Sequence, residues 1–213
     1  MKALVLAPYT GELVLESSNT LAKVIAEAFV REGYQVHILD GKNAVRKNLP
    51  VEKYDAIAFC GHGEDNALLG SDGRRLFDDE NASYFSGSVV VAIACLSGKW
   101  LALTAVSKTA RAYVGFNDLA VLPFSTDAHN YLGDFIRTFM VIPLALLDGY
   151  TVNQAVSEFK SLCYEYREAY DSNKYDEFAG TMSNWMDWNA GAVKYEGAPF
   201  TRLGDESLVV VSV

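Results

Sequence analysis

Residues 89–95 read Val-Val-Val-Ala-Ile-Ala-Cys, an unbroken apolar run. A strand wetted on one side alternates polar and apolar residues. A run apolar throughout belongs to a strand covered on both faces, as in a parallel sheet flanked by helices. Parallel neighbours need crossover connections of helical length, and the first 120 residues supply them. Residues 2–7 are an apolar run of strand length. Across 18–31, Leu21, Val24, Ile25, Ala28 and Phe29 recur at three- and four-residue spacing, which marks one helix face. Ser17, Ser18 and Asn19 are candidate N-caps, and Gly33 stands where a left-handed stop is expected. Residues 35–40, 55–60 and 112–116 read as further strands.

The connection between the third and fourth strands departs from this alternation. Residues 67–69 and 74–77 flank Ser71-Asp72-Gly73, a turn suited to a small hairpin. The second half reads as helical over 126–147, with a kink expected at Pro143, and again after Thr151. Residues 171–204 read as an irregular covering segment or cap, and 207–213 as a closing edge strand. The expected fold is an α/β three-layer sandwich. Its sheet is mostly parallel and six-stranded, in the flavodoxin-like order, with an antiparallel C-terminal edge strand. At 213 residues this makes a single domain spanning 1–213.

A net charge of −9 argues against binding the phosphate backbone of nucleic acid, which needs clustered positive charge. No apolar run reaches the length of a membrane helix. Residues 1–7 are too short an apolar stretch for a signal peptide and are followed at once by Pro8. The three cysteines, Cys60, Cys95 and Cys163, are an odd number in a chain far larger than disulfide-stapled domains, so reduced thiols and a cytoplasmic location are expected.

In open parallel sheets ligands bind at the C-terminal ends of the strands. The third strand ends in Phe59-Cys60-Gly61-His62-Gly63 and the fourth in Ala94-Cys95-Leu96-Ser97-Gly98. If these strands are neighbours, an imidazole and a thiol emerge side by side. A thiol nucleophile needs an imidazole to manage its proton and backbone amides to stabilise an oxyanion. A helix expected over 98–108 would lower the Cys95 pKa through its dipole. Taken singly, a cysteine closing a buried strand or a histidine beside a turn is most often structural. Their joint placement is what points to chemistry.

In this order and spacing, His62-Gly63 after one apolar strand and Ala94-Cys95 after another resemble the caspase-like cysteine peptidases (clan CD). Cys95-Leu96-Ser97-Gly98 is similar to the Cys-x-Ser-Gly of metacaspases. Asp72-Gly73 with Leu76 resembles the hairpin of CHAT domains, and Tyr113-Val114-Gly115-Phe116 their next strand. Leu203-Gly204-Asp205 resembles the gingipain-type ending. The resemblance covers most of residues 2–120 and the last dozen. It implies a caspase-like fold and a cysteine endopeptidase in which Cys95 is the nucleophile and His62 the general acid/base. The amides of Gly63 and Cys95 would form the oxyanion hole. Such a dyad needs no metal and no cofactor. The partners it implies are a protein or peptide substrate, with a regulatory protein partner left open, and no nucleic acid or membrane. Members that cut after Arg or Lys often carry an acidic residue two positions before the cysteine, where this chain has Ile93. Phe116, Asn117 and Asp118, at the end of the fifth strand, are the expected substrate-binding residues, with Asp118 facing a basic P1 side chain.

Three other readings stay open. An amidotransferase-like cysteine hydrolase would pair Cys95 with the later His129, although Ala94 stands where the elbow glycine is expected. A zinc site would gather Cys60, His62 and Cys95, but no fourth ligand is evident. A catalytically inactive caspase-like or flavodoxin-like module would use the same sheet for binding alone. Trp185, Met186 and Trp188 are candidates for a substrate groove or for covering the core, Asp78, Asp79 and Glu80 read as a solvated loop, and His37 as structural.

Overall fold

The computed structural model describes residues 1–9, 11, 13–123, 129–173 and 176–205, the side chains at 13, 14, 129 and 130 excepted. In chain order the elements are β1 (Lys2–Pro8), α1 (Leu13–Arg31), β2 (Gln35–Gly41), β3 (Ala56–Cys60), β4 (Gly63–Glu64), β5 (Ala67–Leu69), β6 (Arg75–Asp78), β7 (Val89–Ile93), α2 (Trp100–Ser107), β8 (Ala112–Phe116), α3 (His129–Leu147), α4 (Val152–Ser172), α5 (Ala179–Ala192) and β9 (Val193–Gly197). Six strands form one sheet in the order β2-β1-β3-β7-β8-β9. The first five run parallel and β9 runs antiparallel to β8. A second, three-stranded sheet joins β4, β5 and β6.

The period of two divides the central strands between two cores. Ala3, Val5, Ala7, Ala56, Ala58, Cys60, Val89, Val91 and Ile93 face a layer built from α1, α3, α4 and α5. Leu4, Leu6, Ile57, Phe59, Val90 and Ala92 face the opposite layer, where the β5–β6 hairpin, Phe85 and α2 pack. Both faces are dry, as an unbroken apolar strand demands. Each fully buried Leu or Phe contributes about 1.5–3 kcal/mol, so an aspartate at any of these positions breaks the sandwich.

Three expectations are corrected. α1 begins at Leu13, which puts Ser17, Ser18 and Asn19 inside the helix. The stripe Leu15, Ser18, Ala22, Ile25, Phe29 continues its buried face, so burial overrides the capping preference. Gly33 does sit at φ +78° after the helix end. The segment expected to be irregular carries α5 and β9. The antiparallel edge strand is therefore Val193–Gly197, while residues 207–213 lie outside the described residues. Finally, Asp78 is buried and accepts hydrogen bonds from Arg46, so only Asp79 and Glu80 of the acidic run are exposed. α3 continues through Pro143, and α4 starts at a capping box between Thr151 and Gln154. Among the described residues no helix is long and apolar enough to cross a membrane.

Candidate active site

β3 and β7 pair directly and in register, with Cys60 opposite Ile93. His62 and Cys95 each lie two residues beyond that last pair, at the same end of adjacent strands. Cys60 and Ile93 both face the helical layer, and the two candidates follow them in the bends and turns just past the strand ends. The Gly61 amide donates to the Ile93 carbonyl at 3.2 Å, which keeps the two strand tips together past the ladder.

The chain then turns into the small sheet. Leu69 N–H donates to the His62 carbonyl at 3.0 Å, and Gly63 lies opposite Leu68. In an antiparallel ladder this makes Gly63–Leu68 a non-hydrogen-bonded pair, so the Gly63 amide points away from β5. Gly63 also touches the cysteine turn itself. A Cβ at this position would lie 2.4 Å from the Cys95 carbonyl oxygen and 3.0 Å from the Ala94 Cβ. Only glycine permits so close an approach.

The cysteine turn is held by β8 rather than by a helix. Leu96 has φ +59°, a left-handed conformation that costs a non-glycine residue about 1–2 kcal/mol. Its amide donates to the Asp118 carbonyl at 3.0 Å, and the Gly98 amide donates to Phe116 at 2.9 Å. The Ser97 hydroxyl is fully buried. It lies 2.7 Å from the Ala94 carbonyl and 3.1 Å from that of Ala92, and accepts from the Phe116 amide at 3.3 Å. Gly98 and Gly115 let the two backbones meet, since a Cβ on Gly115 would lie 2.8 Å from the Gly98 nitrogen. The positive φ of Leu96 takes this turn out of the right-handed helical conformation, and α2 starts only at Trp100. The helix expected over 98–108 is therefore Trp100–Ser107, and Cys95 precedes it by five residues.

The three thiols differ sharply. Cys60 and Cys163 are buried and Cys95 is half-buried. Burial pushes the Cys60 thiol up to about 12, and burial with the nearby Asp187 carboxylate does the same to Cys163. Cys60 is thus a core residue, and among the described residues no three His, Cys, Asp or Glu side chains are grouped as a metal ion would require. His129 is the first residue of α3, and its side chain is not among those described.

Of the expected substrate-binding residues, Asn117 and Asp118 are exposed on the loop after β8. The Asp118 carboxylate accepts from the Leu119 amide at 2.9 Å. Phe116 is placed elsewhere, in the core, with ring centroids 5.5 Å from Phe139 and 5.8 Å from Phe159. Its side chain cannot line a cleft, and only its backbone reaches the turn. α5 grips the same loop. The Asn189 side chain bonds both the amide and the carbonyl of Val121, each at 2.9 Å, and Trp188 donates its indole N–H to the Leu119 carbonyl at 3.1 Å. Met186 is fully buried, Trp185 packs against the core, and Trp188 remains half-exposed. The roles of Asn189 and Ser97 escaped the sequence reading, which had only isolated polar letters between apolar ones to work from.

No model of a known family matches the chain, and no curated protein matches it. The candidate site therefore rests on its own geometry: Cys95 and His62 just past the ends of neighbouring strands, with Gly63 packed against the Cys95 backbone. A cavity of about 630 Å3 lies at the other end of the sheet, lined by Met1, Asp55, Gly87, Arg111 and Asp205 among others.

Proposed function

We propose that this protein is a caspase-like cysteine endopeptidase acting through Cys95 and His62. The observation that carries the reading is the β3–β7 register, which ends both strands together and sets the two side chains two residues beyond one pair. In this mechanism the Cys95 thiolate attacks the scissile carbonyl carbon. The amides of Gly63 and Cys95 donate to the oxyanion. His62, protonated, gives its proton to the leaving amine as the C–N bond breaks, and then takes a proton from the water that hydrolyses the thioester. The bond broken is a peptide bond, and the thiol is regenerated. Asp118 is the partner for a basic P1 side chain. The three free thiols fit a reducing, cytoplasmic setting.

Labelling of the native protein with peptidyl electrophiles that differ at P1 tests this directly. At pH 8 one adduct is expected, on Cys95, with a peptide-dependent rate. Cys60 and Cys163, with pKa values near 12, are protonated there and stay unlabelled until the protein unfolds. Failure of every peptidyl electrophile to react with Cys95, with iodoacetamide still reacting, would instead indicate a binding module of the same fold.

A further inference from the structure

Trp188 is 47% exposed and Leu119 is 51% exposed, and the two are joined by the indole N–H bond to the Leu119 carbonyl. Large apolar side chains are not held open to water by a rigid scaffold without cost. Here the scaffold is rigid on both sides. Asn189 fixes Val121, the Asn117 amide donates to the Ala192 carbonyl at 2.8 Å, and the Asp118 carbonyl takes the Leu96 amide beside Cys95. The path from nucleophile to indole is thus short: Cys95, Leu96, Asp118, Leu119, Trp188. An exposed carboxylate and an exposed apolar surface adjoin on one fixed loop.

We infer that Trp188 and Leu119 form an apolar shelf that selects a flat or branched apolar side chain flanking the scissile bond, next to the residue that Asp118 receives. The substrate class is then a peptide carrying a basic residue and an apolar one close together at the cleavage point. The inference rests on the reading of Cys95 as a peptidase nucleophile. An apolar contact of this size discriminates by about tenfold or more.

The test uses peptides with Arg at the cleavage residue and Gly, Leu or Phe introduced singly at the two positions on either side of it. In the wild type, Leu or Phe at one of these positions is expected to raise kcat/KM about tenfold over Gly. Trp188→Ala brings that ratio close to one. Trp188→Phe, which loses the N–H bond but keeps a ring, retains most of it. Leu119→Ser, which leaves the backbone carbonyl in place, lowers the ratio without disturbing the clamp. Hydrolysis with no positional preference for Leu or Phe, or a preference unchanged in both Trp188→Ala and Leu119→Ser, overturns the shelf alone. No hydrolysis of any peptide, together with no peptidyl labelling of Cys95, overturns the peptidase reading beneath it.

Discussion

The two ends of the central sheet are built differently. The end from which the strands start holds a cavity of about 630 Å3, and several of its polar groups bond to the protein itself, although the buried Arg111 Nε finds no partner among the described residues. The Arg111 guanidinium donates to the carbonyls of Asp55, Arg202 and Asp205, and the Asp55 carboxylate accepts from the Lys2 amide at 2.7 Å. That arginine pins the chain after β9 to the sheet. The opposite end offers a half-buried thiol, an imidazole and a glycine amide turned out of its ladder.

Exchange of single residues at the two ends tests this contrast, and the largest effect belongs to the dyad. Cys95→Ala and His62→Ala are each expected to reduce peptide hydrolysis by about ten-thousand-fold with unchanged circular dichroism. Substantial activity in either mutant would remove the dyad. Gly63→Ala comes next, because the new methyl meets the Cys95 carbonyl and shifts the nucleophile relative to the imidazole. About a hundredfold loss in kcat is expected, measured with the same substrate. At the far end, Arg111→Met deprives three carbonyls of their donor and lowers urea-unfolding stability by about 1–3 kcal/mol. Its kcat/KM should stay within about twofold on the view that this end is structural. A collapse in activity with stability intact would place chemistry there instead. The smallest change is expected for Asp118→Ala. An exposed ion pair is worth about 0–1 kcal/mol, so the preference for Arg over a neutral P1 residue falls by up to about fivefold. Best turnover after Asp, Asn or an apolar residue in a P1-varied library would sharpen the contrast in another way, by removing Asp118 from it.

The sequence made some of these parts legible and hid others for physical reasons. Val89–Ile93 and Ala56–Cys60 announce themselves because a strand covered on both faces has no polar letters to confuse its period. Their neighbour relation stays a condition in the sequence, because chain order alone does not fix which strands pair, and the β3–β7 ladder supplies it. α5 was invisible. Ala179–Ala192 contains Gly180, Asn184, Asn189 and Gly191, weak helix formers, and it persists because Met182, Met186, Asn189 and Ala190 are buried against the rest. The start of α2 was misplaced for a related reason. The turn before it passes through the left-handed Leu96, and local pattern does not announce a positive φ at a leucine. Leu96 in a left-handed conformation is a local rule broken at the candidate nucleophile, where such violations concentrate.

The unequal burial of the three thiols also sets how this protein meets oxidants. Peroxide reaches a half-buried sulfur before two that are sealed in the core and protonated. A sulfenic acid formed on Cys95 then has no exposed cysteine in the chain to condense with, since Cys60 and Cys163 are both buried. Its repair falls to a small thiol from outside, which displaces water to give a mixed disulfide that a second thiol reduces. Such a molecule has no internal redox memory, and its state follows the thiol supply of its surroundings.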